Sequence, residues 1–173
     1  MTHNPHDDEF ALQRLAARLG ECLAARGWMA ATAESCTGGG IAAAITDIAG
    51  SSGWFDRGFV TYSNAAKQEL LGVQADTLAR VGAVSEETAA EMARGALTRS
   101  LAQVSVAVTG VAGPGGGSEE KPVGTVCFGF ATRAGQLLVR RHHFAGDRAA
   151  VRRQTVMTAL EGLHALGQDQ VPR

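Results

Sequence analysis

The 173-residue sequence has little cysteine and proline. Their scarcity argues against several classes of protein. Its three cysteines, Cys22, Cys36 and Cys127, are widely spaced without a CxxC pair, which argues against a disulfide framework or a structural zinc site. The adjacent His142 and His143 would point to opposite faces of a strand, so no metal site is expected there. Only 4 prolines accompany 22 glycines, so low-complexity disorder does not explain the glycines.

Net charge and long apolar runs are also missing. The 16 Lys and Arg residues and 17 Asp and Glu residues leave a formal charge of −1, which does not favour a nucleic-acid partner. No stretch approaches the roughly 18 uninterrupted apolar residues of a membrane span. The polar N-terminus lacks the basic-then-apolar order of a secretory signal. We therefore expect a cytoplasmic protein with neither a membrane nor a nucleic-acid partner.

Hydrophobic patterning predicts one α/β domain, a single-domain three-layer α/β/α arrangement with a mixed, mostly parallel sheet and a late β-hairpin. We expect the domain to span 9–166, with flexible ends at 1–8 and 167–173. Leucines at helical spacing over 12–23 predict the first helix. Strands are expected at 28–33, 58–63, 104–108, 123–131 and 137–144, and further helices at 41–48, 64–71, 75–81, 86–99 and 147–166.

The first strand-to-helix junction, at 33–40, is rich in glycine. Ligands of open α/β sheets bind at this edge, and free N–H groups at a helix start can hold an anion or an oxyanion. Ser35 there could be a nucleophile if a base lies nearby, with the Cys36 thiol as its rival. The alternative interpretation is a glycine-rich turn, with Thr37 as the N-cap of the next helix.

The second strand-to-helix junction carries Tyr62 and Lys67. A lysine desolvated in a pocket has a lowered pKa and can act as a base. A tyrosine hydroxyl can donate or relay a proton. Taken singly, Tyr62 is also explained as a packed ring and Lys67 as a solvated surface residue, so both interpretations stay open.

Two later segments are candidates for binding a ligand. The glycine-rich loop at 109–122 lacks the Walker and dinucleotide-binding patterns, so we expect a substrate-lining loop or an ordinary connection. Asp147 is expected to cap the last helix, whose first turns carry Arg148 and Arg152 on one face. Arginines there oppose the helix dipole but match phosphate oxygens. Solvated or salt-bridged arginines are the alternative.

Together these motifs resemble the CinA C-terminal domain family in its stand-alone form. The resemblance implies an amidohydrolase that converts nicotinamide mononucleotide to nicotinate mononucleotide plus ammonia, in pyridine nucleotide salvage and with no cofactor. It also implies Ser35 as nucleophile, assisted by Tyr62 and Lys67. The matching stretches are AESCTGG at 33–39, GSSGWFDRGFVTYSNAAKQELLGV at 50–73, GAVSEE at 82–87, VTGVAGPGGGSEEKPVGTV at 108–126 and GDR at 146–148.

On this hypothesis the substrate is a small-molecule nucleotide. The N–H groups around Gly38 and Gly39 would hold the oxyanion, and Arg148, with Arg152 beside it, would hold the phosphate. Relatives commonly carry a bulkier residue at the position of Gly40. The glycine would loosen the first turn of the following helix, because glycine has a low helix propensity. The expected substrate-binding set is Thr37, Gly38, Gly39, Thr109, Gly110, Gly113, Arg148 and Arg152.

Other functions are compatible with the sequence. A non-catalytic nucleotide-binding module linked to competence or DNA damage is the main alternative, and an amidase acting on another pyridine nucleotide or small amide is a second. Many family members carry an additional N-terminal domain for which this chain is too short, so the activity of that domain is not expected. A homo-oligomer is expected, without a stated stoichiometry.

Overall fold

The computed structural model describes residues 5–173, with side chains from residue 9 onward. The predicted domain start at residue 9 falls inside the first helix, which already begins at Pro5, and residues 1–4 of the predicted flexible end lie outside the described residues. The helices are Pro5–Arg26 (α1), Gly40–Thr46 (α2), Asn64–Leu71 (α3), Ala75–Val81 (α4), Glu86–Thr98 (α5) and Arg148–Gly167 (α6). The strands are Ala30–Glu34 (β1), Phe55–Val60 (β2), Val104–Gly110 (β3), Thr125–Thr132 (β4) and Leu137–His143 (β5).

The five strands form one sheet in the order β2-β1-β3-β4-β5. Strand β1 is parallel to both β2 and β3, whereas β4 is antiparallel to β3 and to β5. Two of the four pairings are parallel and two are antiparallel. The mixed sheet and late hairpin are therefore confirmed, but the sheet is not mostly parallel, because the hairpin of β4 and β5 adds two antiparallel pairings. Glu34 at the end of β1 lies opposite Val60 of β2 and Val108 of β3. The segments that follow these three strands consequently emerge at one edge of the sheet.

Side chains that alternate along β3 separate the two helical layers. Val104, Val106 and Val108 belong to the core shared with α1, α2 and α6. Ala107 belongs to the opposite core with α3 and α5, and the Ser105 hydroxyl donates a hydrogen bond to a carbonyl oxygen of α5. This alternation, expected of a strand buried on both faces, produces the predicted three layers. Within the described chain, no helix is long and apolar enough to cross a bilayer.

Helix caps agree with the sequence predictions at α5 and α6 but not at α2. Ser85 accepts a hydrogen bond from the N–H of Thr88, and Asp147 accepts one from the N–H of Ala150. The predicted cap Thr37 was wrong, because the cap position of α2 is Gly39, whose backbone is left-handed. A side chain from β1, described below, instead accepts hydrogen bonds from the N–H groups of Ile41 and Ala42 in the first turn of α2.

The chain continues without a helix or strand after Gly167. The N–H groups of Gln168, Asp169 and Gln170 donate to carbonyl oxygens in the last turns of α6. Arg26 at the end of α1 forms an ion pair with Asp169 at 3.0 Å. These contacts connect residues 168–170 to the domain, whereas the predicted flexibility of the C-terminal end stays a prediction.

A close helix–helix contact fixes α3, the helix that carries Lys67. Gly95 of α5 lies directly against the backbone of Leu71, the last residue of α3, and a Cβ at position 95 would overlap the Leu71 carbonyl oxygen. A glycine is therefore required by the approach of the two backbones.

We expect Gly95→Ala to destabilise the protein. Overpacking costs about 1–3 kcal/mol, which exceeds the gain of up to about 1 kcal/mol from replacing a helical glycine by alanine. The measurement is the urea unfolding midpoint, with Gly53→Ala as the control because a Cβ at Gly53 meets open space. A Gly95→Ala protein as stable as the wild type would contradict this contact.

Candidate active site

Ser35 lies immediately after β1, at the edge where β1, β2 and β3 end. Its N–H donates to the Val108 carbonyl oxygen at 3.0 Å, which attaches it to β3. The chain then turns through Gly38 and Gly39, whose φ angles of 59° and 99° lie in the left-handed region that glycine favours. The Gly38 N–H closes the turn by donating to the Ser35 carbonyl oxygen at 3.1 Å. The backbone of Ser35 is thus attached both to the end of β3 and to the turn that follows it.

Lys67 lies in α3, and its side chain is buried, with 1% exposed. Its Nζ is 2.9 Å from Ser35 Oγ and 2.8 Å from the carbonyl oxygen of Thr61. Burial lowers the pKa of Lys67 below its usual value, against a smaller opposing effect of Cys36. Among the described residues no carboxylate forms an ion pair with it. The structure therefore rejects the solvated surface lysine, and it places an amine of lowered pKa beside the serine hydroxyl.

Cys36, the rival nucleophile, is in an unreactive environment. Burial raises the pKa of the Cys36 thiol to about 11. Because the thiolate is the nucleophilic form, the neutral thiol of Cys36 is better described as a buried apolar side chain.

Among the side chains from residue 9 onward, no group of three or more His, Cys, Asp or Glu residues is placed to hold a metal ion.

Tyr62 is positioned with Arg148 and not with the serine and lysine. Its side chain is 63% exposed, and its hydroxyl accepts a hydrogen bond from Arg148 Nη2 at 3.1 Å. Arg148 Nη1 donates to the Gly113 carbonyl oxygen at 2.8 Å. No hydrogen bond joins Tyr62 to Ser35 or Lys67 within the described structure. Arg148 thus connects the start of α6 to the segments that follow β2 and β3.

The remaining predicted binding residues mainly contact other protein groups. Arg152 donates to the Thr37 carbonyl oxygen at 3.0 Å, which connects α6 to the Ser35 turn. The buried hydroxyl of Thr109 donates to the Ala83 carbonyl oxygen at 2.8 Å. Gly110 lies so close to β4 that a Cβ would stand 2.7 Å from the Thr125 carbonyl oxygen. Thr109 and Gly110 thus fix the start of the loop, and their contact with a substrate stays a prediction.

A cavity of about 660 Å³ opens at the start of α6. Its volume falls in the range of small-molecule sites. Arg148 and Arg152 both line it, and Arg152 also contacts the turn that contains Ser35. The other lining residues are Ala112, Pro114, Val123, Gly146, Asp147 and Ala149.

Glu34 is the site residue that the sequence analysis missed. It is fully buried, and its carboxylate accepts hydrogen bonds from the Thr37 hydroxyl and from the N–H groups of Ile41 and Ala42. The available signal was a charged residue at the end of a strand otherwise made of alanine and threonine, a few residues before a helix. Such a residue is seldom buried unless its charge is compensated, and the N-terminus of α2 provides that compensation.

Comparison with known proteins identifies the family. The model of the CinA C-terminal domain matches residues 12–166. The chain belongs to the CinA C-terminal domain family. The resemblance noted in the sequence is thereby confirmed.

Relatives of this CinA C-terminal domain include curated enzymes and solved structures. It is 59% identical over 153 residues to the nicotinamide-nucleotide amidohydrolase PncC of Enterobacter agglomerans, covering 88% of this chain and 93% of that protein. It is 58% identical over 152 residues to PncC of Escherichia coli K12, covering 88% and 92%. The crystal structure of competence/damage inducible protein CihA from Agrobacterium tumefaciens matches with a TM-score of 0.90 and 51% identity, over 97% of this chain and 100% of that chain.

The buried amine of Lys67 predicts a pH-dependent stability. The unfolded chain binds the extra proton between the lowered pKa of Lys67 in the folded protein and about 10.4, so folding is favoured as pH rises through this window. We expect the unfolding free energy of the wild type, minus that of Lys67→Met, to increase with pH there. Urea unfolding at a series of pH values measures this difference, and a pH-independent difference would contradict a buried neutral amine.

Proposed function

We propose that this CinA C-terminal domain is a nicotinamide-nucleotide amidohydrolase. It would hydrolyse the carboxamide of nicotinamide mononucleotide to the carboxylate and release ammonia, returning the pyridine ring to NAD synthesis. The observation that carries this proposal is the 2.9 Å contact between Ser35 Oγ and the buried amine of Lys67. The relatives named nicotinamide-nucleotide amidohydrolase, at 54–59% identity, support the substrate class.

The first half of the reaction forms an acyl-enzyme. Neutral Lys67 accepts the hydroxyl proton as Ser35 Oγ attacks the carboxamide carbon, and the Thr61 carbonyl oxygen keeps Nζ in place through a 2.8 Å hydrogen bond. The same proton passes from Lys67 to the amide nitrogen, which leaves as ammonia. The C–N bond has then been replaced by an ester to Ser35.

The second half regenerates the serine. A water molecule attacks the ester carbon while Lys67 accepts one of its protons, and that proton returns to Ser35 Oγ as the carboxylate product departs. One base thus serves both halves, as in hydrolases with a single acid–base residue. With Ser35 and Lys67 the atoms and protons of both halves balance without a metal or an organic cofactor.

The oxyanion requires a hydrogen-bond donor that the fold leaves available. The Gly38 N–H is used in the turn, and the N–H groups of Ile41 and Ala42 donate to Glu34. The Gly39 N–H donates to no backbone or side-chain acceptor among the described residues. We therefore assign the Gly39 N–H to the oxyanion, which narrows the predicted pair of glycines to one.

Arg148 is the residue we assign to the phosphate. A guanidinium has five N–H donors, so its bonds to Tyr62 and Gly113 leave donors for a ligand in the cavity that it lines. In this arrangement Tyr62 assists the reaction by orienting Arg148. The family resemblance also permits a second role, in which Tyr62 takes part in proton transfer at Ser35. The homo-oligomeric state stays a prediction from the sequence.

We expect the purified protein to release ammonia from nicotinamide mononucleotide and Ser35→Ala to lower kcat by about 1,000-fold or more. The reason is that, among the described side chains, Lys67 Nζ is hydrogen-bonded to the hydroxyl of Ser35, whereas the raised pKa of Cys36 keeps that thiol neutral. Enzyme-coupled ammonia detection measures both proteins, and Cys36→Ala is the matched control, expected to keep most of the activity. Undiminished turnover by a folded Ser35→Ala protein would overturn the assignment of the nucleophile.

The same assay distinguishes the binding-module alternative. A wild-type protein that binds the mononucleotide but releases ammonia from no carboxamide in a substrate panel would be such a module. The 2.9 Å contact between Ser35 Oγ and the buried Lys67 amine favours the enzyme, because binding a nucleotide requires no base beside a serine hydroxyl.

Arg148→Met tests the phosphate assignment. A charge-assisted hydrogen bond to phosphate contributes roughly 1.5–3 kcal/mol, so kcat/KM for nicotinamide mononucleotide should fall by about 10- to 100-fold. Nicotinamide riboside, which lacks the phosphate, should lose much less. The control is Arg80→Met, because Arg80 is an exposed residue of α4 paired with Asp76. An equal loss on both substrates would show that Arg148 does not recognise the phosphate.

A further inference from the structure

Glu34 has an unusually complete set of contacts for a residue outside the reaction. Its Oε1 accepts from the Thr37 hydroxyl at 2.7 Å and from the Ile41 N–H at 2.8 Å. Its Oε2 accepts from the Ala42 N–H at 3.0 Å and from the Thr32 hydroxyl at 3.3 Å. No cation pairs with this carboxylate among the described side chains. Its charge is compensated by hydrogen-bond donors and by the positive end of α2.

A helix cap alone does not require this arrangement. Ser63 caps α3 and Ser85 caps α5, each with a short hydroxyl side chain. The glutamate instead extends from β1 past the Ser35 turn, and it bonds both to Thr37 within that turn and to α2 beyond it. A buried charge is costly, so its presence here points to a requirement for the exact shape of the turn.

The main chain of Glu34 holds the other half of the site. Its carbonyl oxygen accepts a hydrogen bond from the Thr61 N–H at 2.8 Å. Thr61 in turn presents its carbonyl oxygen to Lys67 Nζ. The side chain of Glu34 therefore fixes the segment that carries the nucleophile, while its backbone fixes the acceptor that orients the base.

We propose that Glu34 is a positioning residue that sets the geometry between Ser35 and Lys67 through its carboxylate bond to Thr37. This inference rests on the proposed function. By accepting from the N–H groups of Ile41 and Ala42, the carboxylate also leaves the Gly39 N–H as the donor for the oxyanion. The N-terminus of α2 consequently binds the Glu34 carboxylate and not the substrate. In the proposed function the arginines of α6 bind the phosphate of the substrate.

The test separates positioning from folding by changing the bond at both ends. Glu34→Gln puts an amide NH2 opposite one of the α2 N–H groups, so at least one hydrogen bond is lost. Thr37→Val replaces the hydroxyl by a methyl group and keeps the side-chain shape. Thr37→Ser keeps the hydroxyl and removes the methyl group. The control is Ser85→Ala, which removes a helix cap away from Ser35. The readouts are kcat and KM for nicotinamide mononucleotide and the rate at which phenylmethylsulfonyl fluoride labels Ser35, by intact mass.

We expect Glu34→Gln and Thr37→Val to lower kcat and the labelling rate in parallel by about tenfold or more, with KM within about threefold of wild type, because small misplacements reduce catalysis strongly. Thr37→Ser should stay within about threefold of the wild-type kcat, and Ser85→Ala should keep its kcat despite lower stability. A folded Thr37→Val protein with wild-type kcat and labelling would overturn the proposal. So would an equal fall of kcat in Ser85→Ala.

The labelling rate keeps this inference separate from the proposed function. In labelling, the Ser35 oxygen forms a bond to sulfur, and fluoride leaves with the hydroxyl proton, so no nucleotide takes part. A wild-type protein that is labelled at Ser35 but releases no ammonia would refute the amidohydrolase proposal. The labelling series of the Glu34 and Thr37 variants would then still decide whether Glu34 positions the serine.

Discussion

The hydrogen bond between the buried amine of Lys67 and the hydroxyl of Ser35 is the interaction on which the site depends. It joins residues 32 positions apart in the chain, one after β1 and one in α3. The parallel pairing of β1 with β2 brings the two strand ends to the same edge, and Gly95 allows α5 to hold α3 closely against the domain. Burial then lowers the pKa of the Lys67 amine. Sheet register, helix packing and lysine basicity thus act together on one contact.

Charges of opposite sign lie on opposite sides of the turn that contains Ser35. An anionic group, Glu34, lies buried beneath the Ser35 turn, whereas the cations Arg148 and Arg152 line the cavity at the start of α6. Arg152 also holds the turn from the cavity side through the Thr37 carbonyl oxygen. The turn is therefore supported from within by a carboxylate and from outside by a guanidinium. In the proposed reaction, the inner side of the turn would orient Ser35 and the cavity side would receive the anionic substrate.

Much of the fold was predictable from sequence because periodicity and capping are local. The hairpin of β4 and β5 and the helix caps Ser85 and Asp147 needed only neighbouring residues. The cap of α2 was mispredicted because its true partner, Glu34, lies seven positions before Ile41 and reaches it only in the folded turn. The motifs identified Ser35, Lys67 and Tyr62, but not that Tyr62 bonds to Arg148, 86 residues later. Such pairings depend on the three-dimensional approach of elements, which residue spacing does not encode.

In the proposed hydrolysis Ser35 carries the acyl group, and trapping the acyl-enzyme intermediate would test that role. The protein would be mixed with excess nicotinamide mononucleotide, quenched in acid during turnover, digested and analysed by fragmentation mass spectrometry. We expect a nicotinate mononucleotide acyl group esterified to Ser35 in the wild-type protein and no such ester in the Lys67→Met protein. An acyl group located on Cys36 or on any other side chain would contradict it.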